Sequence, residues 1–73
     1  MARLPDVKPR EIVEALVKFG FREKSMRGSH KKLRYENRTV IVPLHKKIGR
    51  GLFKSIIRQA GFTTEEFIDL LKK

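Results

Sequence analysis

The stretch Arg27-Gly28-Ser29-His30-Lys31-Lys32-Leu33-Arg34-Tyr35-Glu36-Asn37-Arg38-Thr39-Val40-Ile41-Val42-Pro43 decides the fold. Thr39 to Val42 is entirely β-branched, the strongest strand signal in the chain, and Pro43 ends it because proline cannot donate to a strand ladder. Upstream, Gly28-Ser29 reads as a tight turn into a strand running from His30 to Glu36, and Asn37-Arg38 reads as the turn that follows. Phe21 to Arg27, a weaker strand, precedes them. Three short strands in succession imply an antiparallel meander.

Helical patterns flank the meander on both sides. Lys8-Pro9-Arg10-Glu11 opens the first, with proline suited to the first turn and Ile12, Val13, Leu16 and Val17 at helical spacing; Gly20 stops it. After a basic loop from Leu44 to Gly51, a stripe of Leu52, Phe53, Ile56, Ile57 and Ala60 predicts a second helix capped by Gly61. Thr63-Thr64-Glu65-Glu66 is a capping box with Thr63 as N-cap and Glu66 three residues on, launching a last helix that carries Phe67, Ile68, Leu70 and Leu71. The expected class is therefore α+β, in the order α-β-β-β-α-α, with a three-stranded antiparallel sheet buried on one face under helices and open on the other. Repeats, linkers and low-complexity segments are absent, so residues 1–73 are expected to form a single domain.

At 73 residues, folding removes only about 60% of the unfolded chain's surface from water, so a deep enclosed active site is not expected. With no cysteine there is neither a disulfide framework nor a thiolate zinc site, which suits a reducing cytoplasm. The first six residues hold no apolar signal region, and the longest apolar run, Val40 to Leu44, is far short of the roughly 20 residues a spanning helix needs. A soluble, cytoplasmic protein is expected.

The charge is unevenly placed. Residues 22–58 hold twelve of the eighteen lysines and arginines against only Glu23 and Glu36, so this segment carries the entire net charge of +10 while the remainder balances. Such segregation is the footprint of a phosphate-backbone binder. Anionic membrane is the weaker partner, because these cations do not lie on a basic amphipathic helix with a broad apolar side.

Side-chain alternation then sorts the central strand. His30, Lys32, Arg34 and Glu36 share one face, and Lys31, Leu33 and Tyr35 the other. With Leu33 and Tyr35 as core candidates, His30 falls on the open cationic face. Histidine is the one side chain whose ordinary pKa lies near neutrality, so in this setting it suits proton transfer beside a phosphate. A second phosphate-binding candidate is Lys46-Lys47-Ile48-Gly49-Arg50-Gly51, placed just ahead of the helix expected near Leu52, whose free N–H groups and dipole favour anions. Lys54 and Arg58, four residues apart on that helix's polar side, extend the track. The two histidines, fifteen residues apart, and scattered acids form no credible metal-ligand set.

These residues also carry a family resemblance. Gly20-Phe21, Gly28-Ser29-His30 followed by Leu33-Arg34-Tyr35, Val42-Pro43-Leu44-His45, and Gly51-Leu52-Phe53-Lys54-Ser55-Ile56-Ile57-Arg58-Gln59-Ala60-Gly61, in that order, resemble the HicA family of mRNA interferase toxins over nearly the whole chain. The resemblance implies a fold like that of double-stranded-RNA-binding domains. It also implies metal-independent endoribonuclease activity on mRNA with no cofactor, and a HicB-like antitoxin that masks the site in a type II toxin–antitoxin system. His30 occupies the position of the family's catalytic histidine, with Gly28 and Ser29 as its supporting turn. Many members have a second histidine directly after it, where this chain has Lys31. His45 matches a recurring histidine after the third strand and is read as a phosphate contact or as a loop residue bonded to backbone.

The expected site therefore has His30 as catalyst and Lys31, Lys32, Arg34, His45, Lys46, Lys47, Arg50, Lys54 and Arg58 as RNA contacts. His30 would take the proton of a ribose 2′-OH, while Lys32, Arg34 and Lys47 stabilise charge on the phosphoryl oxygens. The alternative is a non-catalytic module that recognises the RNA backbone through the same basic face.

Overall fold

The computed structural model describes residues 7–44 and 47–72. Its elements run α1 (Pro9–Phe19), β1 (Arg22–Arg27), β2 (His30–Tyr35), β3 (Arg38–Pro43), α2 (Arg50–Ala60) and α3 (Thr64–Lys72). The strands form one antiparallel sheet in the order β1-β2-β3. This is the α+β meander that the strand and helix signals predict.

One face of the sheet is the floor of the core. Leu33, Val40 and Val42 are wholly buried there under Ile12, Leu16, Phe53, Ile56 and Phe67 from the three helices. Fully burying one such side chain stabilises by about 1.5–3 kcal/mol, so this layer is what orders the sheet. In α1 the buried stripe is Ile12, Ala15 and Leu16, whereas Val17, expected on it, is 43% exposed. The helix ends in an aromatic corner, where Phe19 packs edge-on against Tyr35 and Phe62 at ring separations of 5.3 and 4.8 Å.

The helix ends follow local chemistry. Glu11 accepts from the Lys8 N–H at 2.9 Å, holding the first turn of α1 behind Pro9. The capping box of α3 is complete: Thr63 Oγ1 accepts from the Glu66 N–H at 3.1 Å, and Glu66 Oε1 accepts from the Thr63 N–H at 2.8 Å. The α2 helix starts earlier than expected, with Gly49 as N-cap and Arg50 as its first residue, so Arg50 and Gly51 belong to the helix rather than the loop. It ends on Gly61, left-handed at φ 83°, where a Cβ would lie 3.2 Å from the Arg38 Nε that packs over it.

The second turn also departs from expectation. It is formed by Glu36-Asn37, so β2 ends at Tyr35 and β3 begins at Arg38. Glu36 takes a left-handed φ of 55°, uncommon outside glycine, and the Arg34 Nε–H donates to its carbonyl at 2.9 Å. That bond secures a turn whose residue type does not favour it.

Candidate nucleic-acid interface

His30 is the first residue of β2, and its place is set by the turn before it. Gly28 has φ 58° with no atom within 4 Å of an added Cβ, so backbone conformation alone calls for glycine here. Ser29 has no positive φ, and glycine in the first central position marks the type II′ hairpin turn. On the other side His30 faces Pro43, which has no N–H; the Leu44 N–H instead donates to the Ser29 carbonyl at 2.6 Å. The turn is thereby held by β1 and β3 together.

Register brings specific neighbours to the histidine. Arg27 and Pro43 lie across from His30, Ser25 and Ile41 across from Lys32, and Arg22 and Thr39 across from Arg34. Cross-strand partners project to the same face. Ser25, Arg27, His30, Lys32 and Ile41 accordingly line one shallow depression of about 580 Å³ on the open side of the sheet. Arg27, His30 and Lys32 stand there beside Ile41, which is 38% exposed.

The other expected contacts are distributed differently. Lys31 lies on the covered side of β2, where its Nζ is ion-paired with the Glu23 carboxylate, so it is not brought to His30. Both residues line a larger depression of about 710 Å³ between the start of α1 and the end of the sheet, away from the histidine. Arg34 shares the face of His30, but its Nε is engaged by the Glu36 carbonyl. Lys47 and Arg50 are exposed at the entry to α2, and Lys54 and Arg58 lie on that helix's outer side. The helix reaches the sheet at its β3 edge, where Gln59 Oε1 accepts from the Ile41 N–H at 3.2 Å. His45 and Lys46 fall outside the described residues.

Ser25, Arg27 and Ile41, which line the depression with His30, were not among the contacts expected from the sequence. A signal for Arg27 was present, because a two-residue turn at Gly28-Ser29 makes residues 27 and 30 partners. Among the described residues, no three His, Asp or Glu side chains gather closely enough to hold a metal ion. No described helix is long and apolar enough to cross a membrane.

The chain is thus a small sheet with one face packed under helices and the other open and basic. Residues 9–62 match the family described as the HicA toxin of bacterial toxin-antitoxin systems. The match spans most of the chain and includes the whole meander and α2, so the chain belongs to the HicA toxin family. Membership implies an antitoxin partner. A search of the curated proteins finds no match.

Proposed function

We propose that this toxin is a metal-independent endoribonuclease that cleaves mRNA in the cytoplasm, with His30 as its catalytic residue and a HicB-like antitoxin as its inhibitor. The observation that carries this reading is the position of His30: exposed, fixed by the turn at Gly28-Ser29, and set in a depression with Arg27 and Lys32. Family membership supports the toxin role.

The chemistry uses the nucleophile that RNA itself contains. His30 accepts the proton of a ribose 2′-OH; the oxygen attacks the adjacent phosphorus; the bond from phosphorus to the 5′ oxygen breaks, and that oxygen takes up a proton. The products are a 2′,3′-cyclic phosphate and a 5′-hydroxyl. Lys32 and Arg34 on the same face, with Lys47, Arg50, Lys54 and Arg58 beside α2, hold the polyanion. Proton transfer of this kind contributes about 10²–10⁴ in rate, with positioning and electrostatics supplying the rest.

The test is incubation of the protein and His30→Ala with RNA and with DNA of the same sequence, in a metal chelator. Cleavage of RNA alone, reduced at least about 10²-fold in the variant while RNA binding persists, is expected. DNA cleavage, or full activity in the variant, would overturn the reading. Binding without any product would make the protein a non-catalytic RNA module.

A further inference from the structure

The ribonuclease reading assigns several cations to the RNA backbone without saying which of them lies closest to the phosphate on which His30 acts. Resting on that reading, we propose that Arg27 is a second catalytic residue, whose guanidinium binds the non-bridging oxygens of the phosphate on which His30 acts.

Arg27 closes β1 and is the register partner of His30. Partners of this kind have Cβ atoms about 4.5–5.5 Å apart on one face of the sheet. Both residues line the same depression and both are exposed.

The other cations of the meander are less well placed. Lys31 lies on the opposite face in its ion pair with Glu23. Arg34 is four residues along the strand from His30 and donates to Glu36. Arg22 is the partner of Arg34 rather than of His30. Lys32 does line the depression, but it is two residues from His30, about 6.6 Å along the strand. Arg27, directly across the ladder at a Cα separation of about 5.5 Å, is the nearer of the two.

The chemistry favours arginine at this position. As the 2′ oxygen bonds to phosphorus, charge accumulates on the two non-bridging oxygens, and a planar guanidinium can donate to both at once. The proton leaves the 2′-OH for His30, and Arg27 transfers none. Its contribution is stabilisation that strengthens as the transition state forms, which appears in kcat more than in KM.

The test uses the full chain and an RNA oligonucleotide that the wild-type protein cleaves. In Arg27→Ala, kcat is expected to fall about 10²–10³-fold, the cost of removing one transition-state donor, with KM within about threefold. Arg27→Lys, which keeps the charge and loses the fork, is expected to recover part of that loss. The decisive measurement replaces one non-bridging oxygen of the scissile phosphate with sulfur: the substitution slows the wild type more than it slows Arg27→Ala. Thermal melts of both variants are expected to match the wild type, since Arg27 is exposed.

If Arg27→Ala cleaves within twofold of wild type, the assignment is overturned. It is likewise overturned if only KM rises and the sulfur effect is unchanged, because Arg27 is then a remote tether. Should His30→Ala cleave normally, it is the ribonuclease reading that fails. An inactive His30→Ala beside a fully active Arg27→Ala removes the Arg27 assignment alone.

Discussion

Lys31 and Lys32 are consecutive in the chain, yet they belong to different parts of the molecule. Lys31 sits on the covered face of the sheet with a side chain 22% exposed and a carboxylate partner in Glu23. Lys32 is exposed on the open face, in the depression that holds His30. The comparison extends to the whole sheet: Leu33, Val40 and Val42 hold one face against the helices, while His30, Arg27 and Lys32 stand on the other. The strands supply both faces, so core packing and the exposed cations are separated by direction rather than by sequence position.

Core truncation is the hardest test of that separation. Leu33→Ala removes a wholly buried side chain from the covered face and is expected to cost about 2–5 kcal/mol. At roughly 4–8 °C per kcal/mol for a domain of this size, the fall in Tm is large. RNA cleavage per folded molecule, measured well below the transition, is expected to stay near wild type. A fall in that rate as steep as the one expected for His30→Ala would mean the two faces are not independent.

The paired lysines sharpen the comparison at smaller cost. Lys32→Ala is expected to lower cleavage about tenfold, one phosphate contact's worth, and to leave Tm unchanged. Lys31→Ala is expected to do the reverse, leaving cleavage unchanged and losing at most about 1 kcal/mol, since a partly exposed ion pair contributes little. Exchange of these two outcomes would place the register one residue away, because a single-residue slip moves every side chain to the other face.

The smallest expected effect concerns the turn. Glu36→Gly relieves a left-handed residue and is expected to stabilise by up to about 1 kcal/mol, read as a rise in Tm. A loss would show that the bond from Arg34 to the Glu36 carbonyl depends on the side chain present there.

Much of the fold was legible because its signals are local. The β-branched run at Thr39–Val42, the capping box at Thr63–Glu66 and the stripe of Phe53, Ile56, Ile57 and Ala60 each state their own conformation. The second turn was harder. Reading it at Asn37-Arg38 instead of Glu36-Asn37 keeps every residue on its correct face but shifts each partner across β2 and β3 by two positions. Lys32 then faces Pro43, and Ile41 drops out of the site. The bulge between Glu23 and Ser25 in β1 was not legible either, because it carries no glycine and no change in residue pattern.

The site divides in the same way. Sequence by itself determined that His30 follows a glycine-led turn, that β2 alternates, and that the charge excess lies in residues 22–58, since all three depend on neighbours in the chain. Tertiary structure decided what joins the histidine beyond its own strand and turn: Ser25 and Ile41 stand with Arg27 and Lys32, whereas Lys31 is held by Glu23 on the far side. A strand's alternation says only which residues share a face. Which residues share a place depends on register across three strands, and that is set by two turns, one bulge and the helices packed beneath.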